Sequence, residues 1–358
     1  MSEYIAMDVH KRYSFVAREG VVSRQKRGVR LEHCRGAVRR YFSRTKTQPG
    51  TAVAVEATGN WYWVVTELEE AGLKPRLVHP YKAKMMLACV NKTDKLDADG
   101  LNRLQRVGTL PTVWIAPGEL RDQRELPRTR MFVSRQSTQL KNRIQATLTK
   151  YGLQLSEEFS DPFGKAAQVA MREQIKLLPA QAQYVTGILL EQLASLRQVL
   201  GDLEKRMEVL IKQTPAMQRL QTLPGVGKIL ATVIALEIGD IERFAGAPKL
   251  ASYSGTTPRV HSSGGKTRYG RLRADVNRYL KWAFLEAANC VHLHQKHYPD
   301  RFVTQLYRRL AKPKGHPKAI GAVARHLAEA AWHVLNKQCE YREPAPQQSG
   351  RRGSTRRT

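Results

Sequence analysis

Apolar and polar positions over the first hundred residues switch between two periods. Residues 4–7 and 14–17 read as short strands, 28–42 as a helix and 52–55 as a strand. Residues 61–71 repeat apolar positions at helical spacing and stop at Gly72. A short strand over 76–78 precedes Pro80, and a helix over 94–107 ends at Gly108. Strands first, then strands alternating with helices, predict an α/β domain over 1–108, with a mixed sheet flanked by helices.

Beyond residue 108 the helical period dominates. Residues 121–152 predict a long basic helix interrupted near Pro127, carrying Arg128, Arg130, Arg135, Lys141, Arg143 and Lys150. Residues 156–179 are mixed. Leu189, Leu193, Leu196, Leu200, Leu203, Met207 and Leu210 then alternate spacings of four and three, the heptad seam of a coiled coil. The seam suits self-association or an antiparallel helical hairpin; the plainer reading is one amphipathic helix packed on its own domain. The expected organisation is a catalytic α/β domain over 1–108, a helical linker and coiled coil over 109–214, and a mostly helical domain over 215–340. The tail over 341–358 is rich in Pro, Gln, Ser, Gly and Arg and predicts disorder, with Arg351, Arg352, Arg356 and Arg357 free to meet phosphate.

Charge narrows the partners. Sixty Lys and Arg against 31 Asp and Glu give a formal charge of +29 over 358 residues. Such a chain attracts polyanions, and nucleic acid is the first to consider. A membrane is not expected, since no apolar run is long enough to span one and no signal peptide is visible. Cys34, Cys89, Cys290 and Cys339 lack paired spacing, so neither disulfides nor a CxxC zinc site is expected; a cytoplasmic, nucleoid-associated protein fits.

Four acids are candidate metal ligands. Asp8 ends the apolar run Ile5-Ala6-Met7, Glu56 ends Ala52-Val53-Ala54-Val55, and Asp94 and Asp97 stand three apart at a helix start. Two like charges about 4 Å apart repel by ~4 kcal/mol at an effective dielectric of ~20, so four carboxylates in one pocket call for a cation. Oxygen ligands favour Mg²⁺, with Mn²⁺ as the alternative. Singly, each acid has an ordinary reading: Asp8 as a turn cap, Glu56 as a strand-end acid, Asp94 as a helix N-cap and Asp97 as a dipole partner.

Other segments carry chemistry. In Leu223-Pro224-Gly225-Val226-Gly227-Lys228, glycines ahead of a helix admit phosphate to backbone N–H groups, as in helix-hairpin-helix DNA-binding modules. A tight turn needing glycine for its dihedrals is the equal alternative. In Ser262-Ser263-Gly264-Gly265-Lys266-Thr267-Arg268-Tyr269-Gly270-Arg271, a serine in a glycine loop beside Lys266, Arg268 and Arg271 suits a nucleophile near a phosphodiester; a solvated basic loop is the bland reading. His261 reads as a poor base because adjacent residues seldom face each other. Cys290, His294 and His297 at i, i+4, i+7 match zinc spacing, with exposed helix histidines the preferred reading. Trp61, Tyr62 and Trp63 offer stacking surfaces, with Trp61 expected in the core.

Together, Ile5-Ala6-Met7-Asp8-Val9-His10-Lys11, Val55-Glu56-Ala57-Thr58-Gly59, Lys92-Thr93-Asp94-Lys95-Leu96-Asp97-Ala98, Leu223-Pro224-Gly225-Val226-Gly227 and Ser262-Ser263-Gly264-Gly265-Lys266 resemble, in order and separation, the DEDD-type insertion-sequence transposases that use a bridge RNA, a group including the Piv-type DNA invertases. Asn277-Arg278-Tyr279-Leu280 after the serine loop also fits. The resemblance implies a RuvC-like, RNase H-type domain holding Mg²⁺ through Asp8, Glu56, Asp94 and Asp97. It implies a C-terminal transposase domain whose serine forms a covalent phosphoserine with DNA. Ser263 best matches that nucleophile, and Ser262 is its rival. It further implies a dimer or tetramer assembled through the coiled coil, and a structured guide RNA pairing with donor and target DNA. One departure is Gly100 after Asp99, which would weaken the helix by ~1 kcal/mol relative to Ala. Two other functions fit the same chain: a metal-dependent nuclease of the junction-resolvase type in which water attacks, and a nucleic-acid-binding protein without catalysis.

Overall fold

The computed structural model describes residues 3–87, 93–153, 159, 161–273 and 275–344. It divides into two compact units, Met1–Gly118 and Glu119–Thr358. The tail arginines and Lys92 lie outside the described residues.

The first unit is a five-stranded sheet. Its strands are β1 (Glu3–Val9), β2 (Tyr13–Gly20), β3 (Lys26–Glu32), β4 (Ala52–Glu56) and β5 (Lys74–Val78), in spatial order β3-β2-β1-β4-β5. β1, β2 and β3 form an antiparallel meander, while β4 and β5 pair parallel to β1 and to each other. Helices α1 (Ala37–Arg44) and α2 (Trp61–Glu70) cover one face, where Ile5, Met7, Val53 and Val55 pack with Val38, Phe42, Val64 and Leu68. Helices α3 (Pro80–Leu87) and α4 (Asp94–Arg106) cover the other, where Ala6, Ala54 and Val78 meet Ala83, Leu101 and Leu104.

The predicted helix over 28–42 is instead an edge strand followed by a shorter helix. β3 is exposed almost throughout, so it has no buried face to impose a two-residue period. Its place comes from seven register partners on β2, which a local pattern does not carry. Gly100 is buried within an unbroken α4, and a Cβ there would stand 2.8 Å from Leu87 Cδ1. The residue that departs from a smooth helix is the one that lets α3 and α4 approach.

The second unit is mostly helical. The long basic helix is two elements, α5 (Gly118–Gln123) and α6 (Glu125–Lys150); Pro127 lies in the first turn of α6, where its missing N–H costs nothing. After α7 (Lys165–Lys176), α8 (Ala180–Leu210) runs antiparallel to α6: Arg130 pairs with Glu204 near one end, and Ile144 and Leu148 pack with Leu189 and Leu193 near the other. The N-terminal half of the seam thus faces α6 and α7 of the same chain, while Tyr184, Val185, Val199, Val209 and Leu210 stay exposed. The elements that follow are α9 (Pro215–Leu220), α10 (Lys228–Ile238), α11 (Ala247–Tyr253), the hairpin β6 (Pro258–Ser263) and β7 (Lys266–Leu272), α12 (Arg278–Leu293), α13 (Phe302–Lys314) and α14 (His316–Asn336). Ile234, Leu280, Phe284, Val323 and Leu327 lie at the centre of this core.

A buried carboxylate joins three of these helices. Glu237 of α10 is 1% exposed; Arg128 of α6 grips it with Nε 2.7 Å from Oε1 and Nη2 3.0 Å from Oε2. Asn277 donates to it at 2.8 Å while its own Oδ1 caps α12 by accepting from the N–H groups of Tyr279 and Leu280. Arg124 binds the carbonyls of Leu236 and Glu237 beside it. Glu237→Ala should cost ~3–5 kcal/mol, because it strands buried guanidinium groups without their counter-charge. Thermal unfolding should show the transition lowered by roughly 10 °C; a wild-type melting curve would remove the cluster from the forces holding the unit together.

Candidate functional site

Sheet register sets the acids. Ile5, Ala6 and Met7 of β1 lie opposite Val53, Ala54 and Val55 of β4. The next pair along the two parallel strands is Asp8 and Glu56, on the face that carries Ala6 and Ala54 because side chains alternate. That is the face packed against α4. Thr93 begins α4: its Oγ1 accepts from the Leu96 N–H at 3.2 Å. The N-cap is therefore Thr93, one residue ahead of the expected Asp94, and Asp94 and Asp97 share the first turn.

Asp8 and Asp94 meet through a residue that the carboxylate motif did not single out. His10 Nε2 stands 3.1 Å from Asp8 Oδ2 and 3.2 Å from Asp94 Oδ1. Tyr13 donates its hydroxyl to Asp94 Oδ2 at 2.7 Å, and its ring lies 4.8 Å from that of His10 and 3.8 Å from the Arg30 guanidinium carbon. Burial pushes the Asp8 carboxyl above the ordinary range; His10 opposes this, while Asp97 and Asp94 add to it. The Tyr13 hydrogen bond holds Asp94 below that range. Strand register puts Glu56 beside Asp8, and Asp97 shares the first turn of α4 with Asp94, but neither is among the close-set donors, which are those of Asp8, His10 and Asp94.

A divalent cation fits this chemistry. Asp8 is 4% exposed, yet its Oδ2, like His10 Nε2, is a buried atom without a hydrogen-bond partner. Donor atoms of Asp8, His10 and Asp94 lie within 4.8 Å of one another, the one such group of three or more among the described residues. The ligand set was expected to be oxygen alone; here a nitrogen stands among the oxygens. The available signal was His10 two residues past Asp8, just where the strand ends. The Cys290, His294 and His297 set does not close. α12 ends at Leu293, His294 Nδ1 is turned to the Cys290 carbonyl at 2.9 Å, and the His294 and His297 rings lie 6.2 Å apart.

The serine segment is a two-stranded ribbon, not the loop its glycines suggested. Gly264 (φ 55°) and Gly265 (φ 75°) make the turn between β6 and β7, two successive positive-φ positions that favour glycine. Ser263 pairs with Lys266 and His261 with Arg268; Ser262 pairs with Thr267 and Val260 with Tyr269. Cross-strand partners share a face. Ser263 therefore stands with His261, Lys266 and Arg268, whereas Ser262 bonds Thr267 at 3.2 Å beside Val260 and Tyr269. His261 faces away from its neighbour Ser262 but the same way as Ser263, because side chains alternate along the strand. Arg271 lies near the irregularity between Pro258 and Val260.

The glycine turn before α10 divides its residues between two roles. Gly225 (φ 78°) is pressed on α12, where a Cβ would stand 2.3 Å from the Ala287 carbonyl oxygen, so tight packing explains it. Gly227 caps α10 facing open space, and Lys228 follows with its ammonium 3.6 Å from Glu208. In the first unit, Trp61 stacks on Tyr62 at 4.1 Å, and Trp61 and Trp63 both pack against the α1–α2 core. Trp63 also borders a groove of about 670 Å³ lined by Lys11, His33, Arg35 and Arg39. Glu67 also lines it, its carboxylate accepting from the N–H groups of Gly36, Val38 and Arg39.

Two family models match the chain. One, of the DEDD type named for IS110 and described as a transposase, covers residues 5–153; the other, described as the transposase IS116/IS110/IS902 family, covers residues 217–303. A Pseudomonas aeruginosa protein named "Probable family 20 transposase" is 27% identical, with 86% of this chain and 90% of that protein aligned. The transposase for insertion sequence element IS1111A from Coxiella burnetii is 26% identical over 84% of this chain and 82% of its own length.

Proposed function

The chain belongs to the DEDD-type transposases of the IS110 family, and we propose from that premise that it cuts and rejoins DNA through Ser263 with a divalent ion held by Asp8, Glu56, Asp94 and Asp97. As a transposase it is an enzyme acting on DNA. In this proposal residues 1–108 are a RuvC-like catalytic domain, 109–214 a helical linker with a coiled coil, 215–340 a transposase domain and 341–358 a basic tail. The strand order β3-β2-β1-β4-β5, with antiparallel and parallel halves, supports the RuvC-like assignment.

The observation that carries the reading is the meeting of Asp8 and Asp94 at the ends of β1 and α4 around unpartnered buried donor atoms. Bound there, Mg²⁺ would neutralise charge on a phosphodiester during its displacement. In the displacement itself, Ser263 Oγ attacks phosphorus and loses its proton as one backbone P–O bond breaks. The departing strand leaves as a hydroxyl, and a phosphoserine ester remains. Attack on that ester by the hydroxyl of another strand reverses the exchange and frees the serine. One ester replaces another at each step, so no outside energy source is required. Lys266 and Arg268, on the Ser263 face, counter the phosphate charge, and Arg271, Gly227 and Lys228 add backbone contacts; Gly225 contributes by shaping the turn.

Sequence choice would rest with a structured bridge RNA pairing with donor and target DNA, leaving the protein to grip backbone. Self-association as a dimer or tetramer is supported by the exposed Tyr184, Val185 and Val199 on α8. The test is to incubate the protein with its element's DNA, flanking RNA and Mg²⁺, then denature. DNA retained on protein supports the reading; free ends with no retained DNA would point to attack by water and the resolvase-type alternative.

A further inference from the structure

We propose that His10 is a direct nitrogen ligand of the metal, so that the site prefers Mn²⁺ to Mg²⁺; this rests on the carboxylate site being a metal site. The imidazole Nε2 lies between two carboxylate oxygens, 3.1 Å from one and 3.2 Å from the other. Both approaches are ion-pair distances, yet neither Nε2 nor Asp8 Oδ2, both buried atoms, has a hydrogen bond of good geometry. Donor atoms of Asp8, His10 and Asp94 all lie within 4.8 Å of one another, a spacing at which one cation can take all three. Asp8 is almost wholly buried, and an uncompensated carboxylate beside Asp94 and Asp97 is costly there.

The surroundings hold the ring in place. The Tyr13 ring packs against His10, and Tyr13 fixes Asp94 Oδ2 by its hydroxyl, leaving Asp94 Oδ1 toward the imidazole. Arg30 lies over the Tyr13 ring. Tyr13 is thus a positioning residue and His10 a donor. Imidazole binds Mg²⁺ poorly, since that ion prefers oxygen, but it suits softer first-row ions, with Mn²⁺ accepting both donor types.

Electron spin echo spectroscopy on the full-length protein loaded with Mn²⁺ reads this directly, because a bound nitrogen modulates the echo and a carboxylate does not. Wild-type protein should bind Mn²⁺ with nitrogen coupling. His10→Gln should lose the coupling and bind Mn²⁺ roughly tenfold more weakly, with Mg²⁺ affinity little changed, since only a nitrogen donor is removed. Tyr13→Phe should keep the coupling. Labelling wild-type histidine with ¹⁵N should change the modulation pattern without any substitution, which guards against a misfolded variant. Bound Mn²⁺ without nitrogen coupling, or coupling that survives His10→Gln, overturns the role of His10 while leaving the carboxylate site standing. Failure of Mn²⁺ to bind at all would overturn both.

Discussion

A Ser263→Ala protein should bind its DNA normally and yet leave none attached after denaturation, a loss of roughly 10³-fold or more in adduct, as when a covalent nucleophile is removed. Ser262→Ala should retain most of it. The two serines are neighbours, but strand alternation separates their environments. Ser263 shares its face with His261, Lys266 and Arg268, while Ser262 is tied to Thr267 on the other. A phosphate drawn to the cations therefore meets the Ser263 hydroxyl. Both serines are exposed, so neither change should alter thermal stability by more than about 0.5 kcal/mol. That separates lost chemistry from lost structure. Adduct formed by Ser263→Ala at wild-type level would end the assignment, and loss in Ser262→Ala alone would transfer it to the neighbour.

Asp8→Asn should pull activity and stability in opposite directions. Strand exchange should fall by about 10³-fold, since a principal ligand and its charge are gone. The metal-free protein, however, should melt higher. Asp8 is buried, its carboxyl is pushed up by desolvation, and Asp94 and Asp97 repel it when ionised. A raised native value means that ionisation destabilises the fold once pH passes the unfolded value near 3.9. At neutral pH the amide should thus stabilise metal-free protein on the order of 1 kcal/mol, ~4 °C for a unit of this size. Added Mg²⁺ should raise the wild-type melting temperature and leave that of the variant unmoved. Melting curves with and without the ion check both halves. A variant that melts lower than wild type without metal would show that Asp8 serves the fold rather than an ion.

The candidate acids were legible because they stand at the edges of recognisable local patterns, and of the four the structure brings Asp8 and Asp94 into one close group. Asp8 and Glu56 each follow an apolar run, which marks a strand end, and Asp94 and Asp97 open a helix with their spacing intact. His10 was passed over because it belongs to no period: it lies in the turn between β1 and β2, and its relation to Asp94 spans 84 positions of chain. The serine ribbon was misread as a loop for a related reason. An exposed two-stranded ribbon has no buried face, so its strands carry no hydrophobic alternation. β3 was mistaken for helix on the same ground.

Glu237 shows a further limit. It stands within the apolar helix α10 with no local pattern to mark it, and the packing of α6 and α12 is what encloses it. The heptad seam was legible as a seam, but half of it is filled by α6 and α7 of the same chain.

By itself the sequence determined the class of chain: a strongly basic protein with an α/β first part, a helical remainder, acids at strand and helix ends, and a serine among cations. These follow from composition and short-range periodicity, which each segment carries alone. Tertiary structure decided which donors share a pocket, which serine faces the cations and which acid is buried. Those properties depend on strand register and helix packing between distant segments, and no local pattern encodes the distance between them.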